Sequence, residues 1–306
     1  MFFNQAIAYR ITQQIDLTAE TLEAALQQKQ SQEPDSQVLS TCGFMPPVGK
    51  GPDAPLVFSA DGYHLICFRM IERILPGSVV RDELKAKVEE IETSQQRKVY
   101  KKEKDQLKDE IIQTLMPRAF LRRSTTYAAI SPADGIIFVN KASPQKAEDL
   151  LSTLRECIGS LPVRPVTTKI APSASMTDWV RTGQSPAGFT VLTDARLQDT
   201  GEDGGAIRAT NQDLTHENIQ NHISSGMVVH ELSLAYEDKL KLVIDDRLKI
   251  KKLRFEDILQ EQANQDGGDD ADGQFAASLV LMMKTLLQAF PALLTALGGE
   301  EVPQGI

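Results

Sequence analysis

From Ser78 to Met116 the chain runs for 39 residues without a glycine or a proline, in a composition dominated by strong helix formers. A single helix over that stretch would extend about 58 Å, far longer than the helices of ordinary globular domains. Val80, Leu84, Val88 and Ile91 form one apolar stripe at helical spacing, and Leu107, Ile111 and Leu115 form another. The change of stripe allows a break near Lys101 to Lys104, and Pro117, which has no amide to donate, must end the segment. Whatever surrounds this stretch has to accommodate one very long helix or a pair of shorter ones.

On the N-terminal side, AIAYRITQQI from Ala6 alternates as a strand does, and LTAETLEAALQQ has a capping residue at Thr18 followed by helical spacing. The polar break SQEPDSQ and the Pro/Gly-rich loop CGFMPPVGKGPDAP follow. LVFSADGYHLICFRMIERIL then reads as two strands around Asp61-Gly62, the favoured dipeptide of a tight hairpin. Beyond the helical stretch, TTYAAISPADGIIFVN reads as a second hairpin and PQKAEDLLSTLRECIG as an amphipathic helix stopped by Gly159. LPVRPVTTKIAPS is an extended linker or edge strand, and SMTDWVRTG a short helix carrying the lone tryptophan, Trp179. The remainder reads as strand FTVLTDA, turn EDGG, strand AIRA, helix LTHENIQNHISSG and three strands near VVHELSLAYE, KLKLVIDD and LKIKKLRF. Strands and helices mix without a sustained βαβα rhythm, which predicts an α+β protein with mixed antiparallel sheets and a long charged helical segment. The predicted divisions are 1–77, 78–123, 124–185, 186–255, an acidic loop over 256–274, and an apolar helix with its tail over 275–306.

That last stretch is long enough to span a bilayer: 17 of the 23 residues from Phe275 to Leu297 are apolar. Lys284, Gln288 and Pro291 interrupt it and no basic flank marks a cytoplasmic side, so a buried or interface helix is the expected reading over a membrane span. Cys42, Cys67 and Cys157 are odd in number and far apart, which points to a reducing cytoplasm rather than a disulfide framework. The N-terminus has neither the basic nor the long apolar region of a secretory signal.

Signals for catalysis are weak. His64, His216, His222 and His230 lack metal-ligand spacing, and VGKGPD around Lys50 lacks the preamble and the Lys-Ser/Thr ending of a phosphate-binding loop. No nucleophile elbow surrounds Ser160 or Ser225. In DGGDDADG, aligning Gly273 with the turn glycine of a calcium loop puts Leu279 where a bidentate glutamate belongs, so this reads as a solvated acidic loop. No cofactor or metal is expected.

Charge distribution is more informative. The formal net charge of −9 argues against a nucleic-acid partner on average. Between Arg97 and Arg123, however, nine cations (Arg97, Lys98, Lys101, Lys102, Lys104, Lys108, Arg118, Arg122, Arg123) face four acids, leaving 24 cations against 38 acids elsewhere. On a helix, Arg97, Lys101, Lys104 and Lys108 fall within roughly 60° of one another. Such a rail suits a duplex backbone, which it would bind by counterion release without reading bases. The same pattern also fits a solvated helix face with i,i+4 pairing. A weaker basic patch runs through Lys239, Lys241, Arg247, Lys249, Lys251, Lys252 and Arg254.

The stretches EKDQLKDEIIQTLMPRAF (Glu103 to Phe120), KAEDLLSTLRECIGSLPVRP (Lys146 to Pro165), WVRTG (Trp179 to Gly183), EDGGAIRATNQDLT (Glu202 to Thr215) and LGGE (Leu297 to Glu300) together resemble the RdgC family of recombination-associated nucleoid proteins, across essentially the whole chain. The resemblance implies an α+β subunit that pairs into a ring-shaped homodimer. It further implies sequence-nonspecific binding of double-stranded DNA through a positive inner surface, restraint of RecA-mediated recombination, residence in the cytoplasm at the nucleoid, and no catalysis. The nine cations from Arg97 to Arg123 would then touch DNA. Phe120 would serve as a hydrophobic anchor at one subunit contact, and the turn with Asn211 and Gln212 would form the other. At that turn the family commonly has lysine where this chain has Asn211, which weakens any requirement for a charge there. Two other classes stay open: a helical protein-interaction scaffold with incidental DNA binding, and a hydrolase in which clustered acids hold magnesium.

Overall fold

The computed structural model describes residues 1–302 apart from 16, 50, 52, 202, 203 and 269. Lys50 in the Pro/Gly-rich loop, Glu202 and Asp203 of the expected EDGG turn, Asp269 of the acidic loop and the tail from 303 therefore lie outside the described residues. Among the described residues the chain forms two antiparallel sheets and eight α-helices, the mixed α+β architecture expected.

The first sheet contains β1 (Ile7–Ile11), β2 (Ser40–Met45), β3 (Val57–Ala60), β4 (Tyr63–Ile74), β5 (Phe120–Ser131), β6 (Ile136–Val139) and β7 (Val163–Pro165). Their order is β2-β4-β5-β6-β1-β7, with β3 also pairing β4. Asp61 and Gly62 both take positive φ, 50° and 78°, the twist that a two-residue hairpin between β3 and β4 requires. Residues 42–45, expected in a loop, instead complete β2. Gly43 permits it: a Cβ there would lie 2.6 Å from the Lys29 carbonyl oxygen, so only glycine lets residues 29–31 cross this closely. One face of the sheet is covered by α1 (Ala19–Leu26), capped by Thr18, and α4 (Pro144–Ile158), ended at Gly159. Leu22, Leu26, Leu150, Leu151 and Leu154 pack there on Ile66, Phe68, Ile130 and Val139.

The second sheet orders β12 (Ile250–Phe255), β11 (Leu240–Asp245), β10 (Val228–Tyr236), β8 (Phe189–Gln198) and β9 (Ala206–Ala209). Against it lie α5 (Pro172–Thr182), which begins in what reads as linker, and α6 (Glu217–Ser224). The amides and carbonyls of Ala6 and Ile250 exchange hydrogen bonds of 2.9 Å, so the N-terminal segment joins the two sheets.

The expected loop over 256–274 is corrected by α7 (Asp257–Asp266), and the final helix, α8 (Ala271–Ala296), begins earlier than its apolar run. Asp270 caps α8 by accepting from the Gly273 amide, which recruits the acidic segment into helix initiation. By length and composition α8 is the one helix among the described residues that could cross a membrane. Here Leu279, Met282, Met283, Leu286, Phe290, Leu293 and Leu294 are buried in a core shared with both sheets, and Phe290 meets Phe138 edge-on at 5.6 Å. At its end Glu300 spans Arg10 (2.7 Å) and Arg164 (2.6 Å), tying the chain's last described turn to β1 and β7.

Residues 77–118 form a helical hairpin: α2 (Gly77–Gln95) and α3 (Lys101–Leu115). A continuous 39-residue helix does not form, and the break falls at residues 96–100 rather than at 101–104. Gln96 adopts a left-handed conformation with φ 52°, and the Val99 amide is held by the Glu92 carboxylate at 2.9 Å. Val99 can then bury itself with Val88 and Leu107, flanked by Leu84 and Ile91. The two apolar stripes read in the sequence face each other, which is why the chain reverses instead of continuing.

Candidate nucleic-acid interface

The hairpin sorts the nine expected cations into two groups. Lys98, Lys101, Lys102, Lys104, Lys108 and Arg118 are exposed and make no ion pair among the described residues. Lys101, Lys104 and Lys108 keep the expected common stripe on α3. Arg97 does not: it precedes the helix and forms a two-pronged pair with Glu103, whose carboxyl its hydrogen bond holds below the ordinary range. Arg122 and Arg123, on β5, are also compensated, by Glu72 at 2.8 Å and by Glu33 at 2.9 Å. Of the nine expected cations six are therefore unpaired and three are turned toward acids, and the rail itself keeps Lys101, Lys104 and Lys108.

Phe120, just past the 3₁₀ turn Met116–Arg118, is 84% exposed and stands opposite Ile74 in the β4–β5 register. Leu39, 60% exposed, is bonded through its carbonyl to the Arg73 amide, one residue out of phase with Ile74 and Phe120. Phe120 and Ile74 thus form an exposed apolar pair. The Asn211 turn lies beside the second sheet: Asn211 is left-handed at φ 52°, its amide donates to Asp194 Oδ1 at 2.9 Å, and the Gln212 amide donates to the Thr193 carbonyl at 3.0 Å. Asn211 and Gln212 are exposed and line a cavity of about 300 Å³ with Trp179, Val180, Leu192 and Leu214. Asp213 accepts from the Thr215 hydroxyl and amide, which hold its carboxyl below the usual range.

The weaker basic patch is mostly neutralised. Lys239 pairs with Glu237, Lys241 with Glu256, Lys249 with Asp245, and Lys252 with Asp194. Lys251 bridges Glu231 at 2.9 Å and Asp245 at 3.0 Å. Burial alone would raise the Asp245 carboxyl, but hydrogen bonds from Lys251 and from the Lys249 and Arg247 amides outweigh it and hold the group low. Two cations absent from the sequence reading join this face. Arg196 and Arg208 sit opposite each other across β8 and β9, with Glu231 next in the row. Their alignment depends on strand register, and no spacing in the sequence signals it.

No group of three or more His, Cys, Asp or Glu side chains is placed to hold a metal among the described residues. Comparison with known proteins bears on the whole chain: a family model described as "Putative exonuclease, RdgC" matches residues 1–300. The chain belongs to the RdgC family. Two curated proteins named "Recombination-associated protein RdgC", from Pseudomonas aeruginosa and Pseudomonas syringae pv. syringae, are each 59% identical over 306 residues, covering both chains completely. The RdgC motifs read in the sequence spread over every layer of the fold: the α3–β5 junction, α4, α5, the β9 turn and the Glu300 tie.

Proposed function

We propose that this RdgC chain is a sequence-nonspecific binder of double-stranded DNA that restrains RecA-mediated recombination, acting at the nucleoid in the cytoplasm as a ring-shaped homodimer around the duplex. The observation that carries this reading is the set of six unpaired, exposed cations on and beside α3 in a chain of net charge −9. Cations already compensated by carboxylates contribute little to counterion release, whereas free ones on a rigid helix can each neutralise a phosphate. The recombination-associated name of its full-length relatives agrees with a role on DNA. Phe120 with Ile74, and the turn at Asn211 and Gln212, are the two surfaces we assign to ring closure, because a closed ring of two subunits needs two contacts.

The test is a competition gel shift over a salt series with duplex, single-stranded and unrelated sequences, beside sedimentation of the Phe120→Ser variant. Steep salt dependence without sequence preference, and a dimer weakened by Phe120→Ser, are expected. Flat salt dependence removes the DNA reading, and a monomeric wild-type protein removes the ring. The family's nuclease description is met by plasmid incubation with magnesium or manganese, where we expect no cleavage.

A further inference from the structure

Two aromatic side chains stand out among the strongly exposed apolar residues, Tyr100 just before α3 and Phe120 just beyond it, on either side of a helix about 22 Å long. Their surroundings differ in kind. Phe120 stands opposite the exposed Ile74, an apolar setting suited to another protein surface. Tyr100 is 75% exposed at the apex of the hairpin, and its sequence neighbours Lys98, Lys101 and Lys102 are exposed cations without ion pairs among the described residues. Its backbone is firmly set: the preceding residue, Val99, is buried between the helices and its amide is held by Glu92, while the Tyr100 carbonyl accepts from the Lys104 amide at 3.0 Å. An aromatic ring exposed to water on a fixed backbone, with free lysines as its chain neighbours, has the chemistry that receives an unpaired nucleobase. The ring supplies a stacking face and the lysines take the flanking phosphates.

We propose that Tyr100 is a base-stacking residue, and that the tip of the α2–α3 hairpin binds unpaired nucleotides where duplex DNA ends, frays or branches. This inference rests on the DNA-binding reading and adds a preference for unpaired nucleotides that electrostatics alone does not supply, because the denser phosphates of a duplex attract lysine at least as strongly as those of a single strand. It assigns the two ends of α3 to different partners, the Phe120 end to protein and the Tyr100 end to nucleobases.

The experiment compares a blunt duplex of about 30 base pairs with the same duplex carrying a single-stranded tail of about ten nucleotides, by fluorescence anisotropy, with 2-aminopurine in the tail beside the junction. Wild-type protein is expected to bind the tailed DNA more tightly and to change the 2-aminopurine emission. Tyr100→Ala should lose about tenfold in affinity for the tailed DNA while leaving the blunt duplex within about twofold, and Tyr100→Phe should retain wild-type behaviour. Because the side chain is largely in water, both variants should fold, and their melting curves check this. Tyr100→Ala binding both DNAs as wild type does, with unchanged 2-aminopurine emission, overturns the stacking role and leaves the duplex reading standing. Wild-type protein that fails to bind the blunt duplex at low salt overturns the duplex reading itself.

Discussion

Replacing Lys101, Lys104 and Lys108 together by alanine removes half of the six unpaired cations of the hairpin and touches no ion pair among the described residues. If each of the six neutralises one phosphate, the logarithm of affinity falls against the logarithm of salt with a slope of at most about −5.4 per subunit, and about −2.7 in the triple variant. Between about 50 and 200 mM salt the wild-type protein would then lose roughly 2,000-fold in affinity and the variant roughly 40-fold. The assay is anisotropy on a fluorescent duplex at five or six salt concentrations, with a melting curve confirming that the exposed substitutions leave the fold intact. Arg122→Ala serves as the contrast, since Glu72 already compensates that guanidinium and its loss should hardly change the slope. Parallel lines for the wild-type and triple-variant proteins would refute the claim that this stripe meets the phosphates.

Three further outcomes test the fold. Glu300→Gln leaves Arg10 and Arg164, both partly buried, without their shared carboxylate, and should cost about 1–3 kcal/mol, read as a lowered thermal midpoint. Gly43→Ala drives a methyl group into the backbone of residues 29–31 and should cost about 1–3 kcal/mol, seen in urea as a lower midpoint with an unchanged slope. Burial holds His64 below the ordinary histidine value, its Nδ1 lying 2.7 Å from the Ser59 hydroxyl. The unfolded chain therefore takes up this proton first as the solution is acidified. The stability contributed by neutral His64 is complete above about pH 6.5 and falls as pH drops from there toward the lowered folded value. The urea midpoint should be lower at pH 5 than at pH 7.5, the difference should shrink in His64→Gln, and a His64 NMR titration at or above 6.5 would contradict the assignment.

Features governed by near neighbours were legible in the chain. The Asp61-Gly62 hairpin, the cap at Thr18 and the stop at Gly159 follow from backbone preferences of one or two residues, and all three stand where they were read. Residues 42–45 were misread because their strand depends on Gly43 passing beneath residues 29–31, a contact between distant segments. The acidic stretch before the last helix was misread because loop composition and helix capping use the same residues, and only the docking of α8 decides between them.

For the candidate interface, the amino-acid order settles that positive charge is concentrated between Arg97 and Arg123, since composition and helical period require no knowledge of the fold. Which of those charges remain free is a tertiary matter. Arg122 and Arg123 meet Glu72 and Glu33 only because β5 is registered against β4 and the chain before β2 crosses nearby; Arg97 meets Glu103 only because the hairpin turns at Gln96. Ion pairing acts over a few ångströms irrespective of sequence distance, so a count along the chain finds nine cations where the folded surface offers six.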